Sequence, residues 1–266
     1  MGEHGIINVS VSNHYRECLN STDITTQGLL GERVEILEQR QTHVYVRQGD
    51  SYQSWVPEDQ IVPAVDFEGR EVMVRSHFMR IYAQPSTSSE GVRDAVIGCR
   101  LTAVDEQDLW YRVVLPDGTI GWADKRHFGT MGPFSVDNVI DLAREFLGYQ
   151  YFWGGRTPKG FDCSGYVQTV FQLHGVQILR DAWLQQHHHQ FSTDYREAQP
   201  GDLLFFSDRT DKVTHVGISL GDQKFIHASG WVRINSFNEY DSDFSAKRRD
   251  SFTSVNRYSP STNHEN

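Results

Sequence analysis

The chain has 266 residues, long for one compact domain, and its 38% hydrophobic and 23% charged residues suit a protein with two or three separate cores. A formal net charge of -10 without a basic stripe argues against a nucleic-acid partner. No segment approaches the roughly 18 uninterrupted apolar residues of a membrane span, which argues against an integral membrane protein. Cys18, Cys99 and Cys163 are odd in number and far apart, so neither a disulfide framework nor a paired-cysteine metal site is suggested, and at least one thiol should be free. The opening MGEHGIINVS lacks the basic start and apolar core of a secretory signal, which leaves a cytoplasmic protein or one whose leader has been removed.

In chain order, an internal repeat comes first. Residues 28–37, GLLGERVEIL, align without a gap on residues 95–104, AVIGCRLTAV, at an offset of 67 positions. The same offset lays DSYQSW (50–55) on DGTIGW (117–122), and it matches Gly31 with Gly98, Arg33 with Arg100 and Trp55 with Trp122. Each copy reads as short alternating strands such as HVYVRQ and WYRVVL between turn signals, which predicts two small β-barrels over 1–64 and 65–129. The two tryptophans are expected as core anchors. The pattern resembles bacterial SH3-like domains, with Ser54 standing where their Gly-Trp turn usually has glycine.

Near Gly129 the character changes. GTMGPF reads as a linker, Ser135 as a helix cap, and Val136, Val139, Ile140, Ala143, Phe146 and Leu147 as one helical face that Gly148 ends. Helical spacing returns over Cys163–His174, followed by the strand-like runs DLLFFS, KVTHVGISL, QKFIHAS and WVRINSF. The prediction is an α+β domain over 130–260, with a disordered tail at 261–266.

Cys163 falls at the head of the second predicted helix, where unsatisfied N–H groups lower a thiol pKa, and Ser164 and Gly165 keep bulk away from the sulfur. A base is needed next. His215 in VTHVGIS and His227 in FIHAS lie twelve positions apart around the turn signal GDQ. A three-residue loop there puts both rings on one face of a hairpin, opposed at about 5 Å or diagonal at about 7–8 Å, whereas an even-numbered loop puts them on opposite faces. On one face they form a Cys-His-His relay, one ring sharing the thiol proton and the other holding its tautomer.

Together, YFWGGRTPKGFDCSGYV, RDAWLQ, QPGDLLFF, VTHVGISL and FIHAS resemble the NlpC-type cysteine peptidases of bacterial cell-wall metabolism, a papain-like family. The resemblance implies two SH3-like barrels followed by an α+β papain-like peptidase domain, with Cys163 as nucleophile, His215 as general base and His227 as the residue that orients it. It sets Tyr151 near the oxyanion and gives substrate contacts to Trp153, Ser164 and Asp181, with Ala182 in place of a common serine. The full architecture is similar to the γ-D-glutamyl-L-diamino-acid endopeptidases, in which an acid and a tyrosine of the first barrel close the cleft and bind the N-terminal amine of murein peptides. That similarity points to Asp23, where glutamate is usual, and Tyr52.

The implied activity is hydrolysis of the bond between γ-D-glutamate and the diamino acid in murein peptides that begin with free L-alanine, in peptide recycling. An amine fixed by a carboxylate sets which bond reaches the sulfur. Two alternatives stand beside it: a broader endopeptidase on intact wall with the barrels as wall-binding modules, and a non-catalytic wall-binding protein. No metal or other cofactor is expected, because the adjacent histidines at 187–189 have no ligand-spaced partners nearby. KRR at 247–249 reads as a solvated turn. The partners implied are murein-derived peptides, the molecule a monomer, and the location the cell envelope, periplasmic or secreted, with the cytoplasm as the other reading.

Overall fold

The structure, a computed structural model, describes residues 3–19, 22–187, 190–208 and 212–258. The chain divides after residue 131 into two units. The first unit holds two antiparallel barrels. One comprises β1 (Glu3–Ile7), β2 (Val11–Tyr15), β3 (Ile24–Leu29), β4 (Arg33–Arg40), β5 (His43–Arg47), β6 (Gln53–Pro57) and β7 (Ile61–Pro63), in the order β3-β2-β6-β5-β4-β1-β7. The other comprises β8 (Arg70–Met73), β9 (Phe78–Tyr82), β10 (Gly91–Val96), β11 (Arg100–Gln107), β12 (Trp110–Val114) and β13 (Ile120–Asp124), in the order β10-β9-β13-β12-β11-β8. Strands β2 to β6 recur as β9 to β13 with both ends displaced by the same 67 positions.

Turn geometry repeats even where residue type does not. Left-handed backbone occurs at Gly31 (φ 86°) and Gly98 (φ 88°), at Gln41 (φ 53°) and Asp108 (φ 48°), and at Ser51 (φ 68°) and Gly118 (φ 82°). The interiors diverge. Buried Met79, Ile81 and Leu115 of the second barrel correspond to Ser12, His14 and Gln48 of the first, also buried. These polar groups are served within the barrel: Ser12 Oγ donates to Gln60 Oε1 at 2.7 Å, and His14 Nδ1 lies 3.0 Å from Ser54 Oγ.

The two barrels are joined by a shared core. Leu30, wholly buried, packs among Val74, Ile81, Val96 and Leu115 of the second barrel. A Cβ at Gly31 would stand 1.9 Å from the Arg100 carbonyl oxygen, so only glycine permits this approach. Trp55 is buried against Tyr45, as expected of an anchor, while Trp122 is only half-buried.

The second unit opens with α1 (Val136–Glu145), capped by Ser135, whose Oγ accepts the Asn138 N–H at 3.1 Å. Its buried stripe is Val139, Leu142, Ala143 and Phe146. Val136 and Leu147, expected on that face, are exposed: Val136 is the first residue of the helix and Leu147 lies beyond its last. Then come β14 (Arg156–Thr157), β15 (Gly160–Phe161), α2 (Cys163–Gln172), α3 (Ala182–Gln186), β16 (Gln190–Ser192), β17 (Leu203–Phe206), β18 (His215–Gly221), β19 (Lys224–Ser229), β20 (Trp231–Ser236), α4 (Ala246–Ser251) and β21 (Phe252–Asn256). The last six strands form one antiparallel sheet, in the order β16-β21-β17-β18-β19-β20. Helix α2 is buried from Cys163 to Phe171 and lies against β18 and β19, which brings the head of a helix to the centre of the sheet.

The basic run 247–249, expected as a solvated turn, lies in α4. Arg248 is buried there because Asp208, forty positions earlier, receives its guanidinium at 3.2 Å. The expected tail at 261–266 lies outside the described residues. Among the described residues no helix is long and apolar enough to cross a membrane.

Candidate active site

The helix side of the site is assembled by Asp162. As the N-cap of α2 it accepts the Gly165 N–H at 2.7 Å through Oδ1, while Oδ2 accepts the Gly154 N–H at 3.0 Å. Arg180, 1% exposed, donates to both oxygens at 3.1 and 2.6 Å and to Ser164 Oγ at 3.0 Å. Gln185 Nε2 donates to the Ser164 carbonyl at 3.1 Å. The loop before the helix presses on its first turn, since a Cβ on Gly165 would meet the Gly155 carbonyl at 2.2 Å. One carboxylate thus ties together a loop, a helix start and a buried cation.

Cys163 is 7% exposed. Burial pushes its thiol up to about 12, with the Asp162 carboxylate adding to the rise. The Val216 and Ser164 N–H groups and Arg180 pull the other way without offsetting it. The expected lowering by the helix start is therefore outweighed, and the resting group is a protonated thiol.

The sheet side carries the two imidazoles. The expected three-residue loop is instead a two-residue turn, Asp222-Gln223, both left-handed at φ 49° and 62°, flanked by the Gly221–Lys224 pair. Such a turn alone would put the rings on opposite faces. A β-bulge between Ser219 and Gly221 adds one residue to β18 and restores the parity. From the pairing Ile218–Ile226, Gly217 stands opposite His227, and His215 is its diagonal neighbour on the same face. Glycine at 217 leaves the diagonal open, because a Cβ there would lie 3.1 Å from His227 Cβ. The rings meet edge to face, with centroids 4.9 Å apart and His215 Nε2 2.7 Å from His227 Nδ1. His227 Nε2 continues to Asn235 Oδ1 at 2.9 Å.

Both rings are held neutral. Burial is the main cause, depressing His215 well below its ordinary value, with His227 next, and taking His227 down to about 3. With Nε2 engaged by His227, His215 keeps Nδ1 for another partner.

The other expected residues fall in several settings. Tyr151 is half-buried, and its phenol is pushed up by burial and then by the Cys163 sulfur, which keeps it an O–H donor beside the thiol. Trp153 is 62% exposed, next to the Gly154-Gly155 turn. Ser164 donates to Asp162 Oδ1 at 3.3 Å and accepts from Arg180, so its hydroxyl belongs to the buried network. Asp181 occupies the N-cap position of α3. In the first unit, Asp23 accepts from Arg16 Nε at 2.7 Å, and Tyr52 follows the left-handed Ser51. His187 ends α3 with its ring 5.7 Å from Trp183, while His188 and His189 lie outside the described residues. Sequence reasoning missed Asp162 as a cap, although an aspartate three residues before Gly165 is a readable signal. It also missed Arg180, Gly217 and Asn235, whose partners are set by packing and strand register.

Comparison with known proteins agrees with this geometry. Residues 148–251 match the NlpC/P60 family, 15–61 the bacterial dipeptidyl-peptidase Sh3 domain and 78–128 the bacterial SH3 domain. A γ-D-glutamyl-L-lysine dipeptidyl-peptidase of Bacillus cereus is 30% identical over 229 residues, 79% of this chain and 68% of that one. Dipeptidyl-peptidase 6 of Lysinibacillus sphaericus is 26% identical over 257 residues, 89% of this chain and 92% of that one. The crystal structure of an NlpC/P60 family protein from Bacillus cereus superposes with a TM-score of 0.82 at 24% identity, covering 96% of this chain and 99% of that one, a likeness of fold. A thiol at the head of a buried helix, two joined imidazoles on the sheet beneath it and these matches make the chain a member of the NlpC/P60 family of cysteine peptidases, carrying two bacterial SH3 domains.

Proposed function

We propose that this protein hydrolyses the bond between γ-D-glutamate and the diamino acid of murein peptides that begin with free L-alanine, releasing L-Ala-γ-D-Glu. The observation that carries the reading is the 2.7 Å contact between His215 and His227 on strands packed against the helix that Cys163 begins. His215 Nδ1 takes the thiol proton as Sγ attacks the γ-carbonyl carbon. The oxyanion so formed is received by the Tyr151 hydroxyl and the N–H groups of the first turn of α2. The proton then passes to the departing amine, leaving a thioester, and water activated by the same nitrogen releases the dipeptide.

Trp153 and Asp181 are proposed as substrate contacts, and Asp23 and Tyr52 as the groups that recognise the free amine. Support for these four comes from the family resemblance and from the named activities of the relatives. The reading includes peptide recycling and a location in the cell envelope or outside the cell. The test is mass spectrometry of L-Ala-γ-D-Glu-diamino-acid peptides with the N-terminus free or acetylated. Cleavage of the free peptide alone is expected, with Asp23→Asn weakening that preference. Equal turnover of both would favour the broader endopeptidase.

A further inference from the structure

The order of donors and acceptors behind His227 is dictated by one main-chain oxygen. Asn235 Nδ2 lies 2.8 Å from the carbonyl oxygen of Asp243. A carbonyl can only accept, so the amide nitrogen must face it and Oδ1 must face His227. The carbonyl is itself fixed, since it also accepts the Ser236 N–H at 2.9 Å while the Ser245 N–H donates to the Ser236 carbonyl at 2.9 Å.

Because Oδ1 of Asn235 can only accept, the contact at 2.9 Å requires the proton of neutral His227 on Nε2. His227 Nδ1 then holds a lone pair, and the contact at 2.7 Å requires His215 to carry its own proton on Nε2. His215 Nδ1 is left unprotonated. From the backbone oxygen through the amide and the two rings, each group leaves its neighbour a single donor or acceptor role.

We infer that Asn235 is a positioning residue that fixes the tautomers of both imidazoles, so that His215 offers a bare Nδ1 to the Cys163 thiol. The function of that nitrogen rests on the catalytic reading above; the tautomer order does not. A backbone carbonyl sets the polarity, so the Asp243 side chain is dispensable to it.

The test combines spectroscopy and kinetics on the full chain. In 15N-histidine-labelled protein, both rings are expected as Nε2–H tautomers, identified by loss of signals in His215→Asn and His227→Asn variants. Asn235→Ala should give mixed tautomers and a kcat lower by about tenfold to a hundredfold with KM little changed. Asn235→Asp keeps the acceptor toward His227 but sets a carboxylate against the Asp243 carbonyl. A merely structural role makes it the worse variant, whereas the tautomer role makes it retain more Nε2–H and more kcat than Asn235→Ala. A native His227 protonated on Nδ1, or an Asn235→Ala protein with unaltered tautomers and kcat, overturns the inference. If a variant does not fold, the native spectrum still decides. Persistent turnover in Cys163→Ala would instead overturn the catalytic reading and leave the tautomer result standing.

Discussion

The helix side of the site is held by charge and the sheet side by neutral rings. Asp162 and Arg180 form a buried ion pair with bidentate geometry, and each also binds a neighbour, so their partnership fixes where the loop, the helix start and Ser164 sit. His215, His227 and Asn235 are joined by hydrogen bonds, and no net charge is needed among them. A buried ion pair resists displacement because separating it strands a charge in apolar surroundings. A neutral chain keeps a lone pair open on its outermost ring nitrogen, which a base requires. The sulfur is thus placed by an ion-paired network and served by an uncharged one.

Four measurements break or sharpen that contrast. The largest effect is expected from Cys163→Ala, which should abolish peptide hydrolysis while leaving the circular dichroism spectrum and urea midpoint close to native. Arg180→Met should cost about 3–5 kcal/mol in urea unfolding, because Asp162 is left as an uncompensated buried charge, and Asp162→Asn added to it should recover part of the loss. A small cost for the single variant would show that the ion pair does not set the helix side.

The third test is pH. His227 is depressed to about 3 and His215 is also lowered, whereas unfolded histidines titrate near 6.5. Below about pH 6.5 the unfolded chain binds protons that the native rings refuse, so unfolding free energy should fall as pH drops from about 6.5 toward about 3 and be insensitive to these rings above it. The double variant His215→Asn with His227→Asn should flatten that slope. With the base still neutral, kcat/KM should hold below pH 6.5, and an acid limb centred there would contradict the neutral resting pair. The smallest effect is expected from Gly217→Ala, whose Cβ must share 3.1 Å with His227 Cβ. A loss of roughly 1–3 kcal/mol is expected from overpacking in calorimetry, with kcat reduced as the rings are moved apart.

Much of this was legible in the sequence because it is local or periodic. The 67-residue offset marked both barrels, and the thiol and both histidines stood out by position. The hairpin was read with the right faces for the wrong reason: a two-residue turn plus a bulge has the parity of a three-residue loop, and a bulge leaves no mark in composition. Arg248 read as solvated because its partner Asp208 is forty positions away, and Arg180 and Asn235 were silent because packing and the β19–β20 register, not local spacing, set them against Asp162 and His227. Met79, Ile81 and Leu115 against Ser12, His14 and Gln48 show one backbone tolerating opposite interior chemistry, the polar side chains finding partners within their own barrel.

Leu30 gives the tandem barrels a property that two copies of a module would not otherwise have. Its side chain completes the neighbour's interior, and Gly31 lets the backbones touch. Excising either copy would open a hole in one and strand a greasy residue on the other, so the duplicated pieces have lost their independence and must be inherited, grafted or lost as a pair.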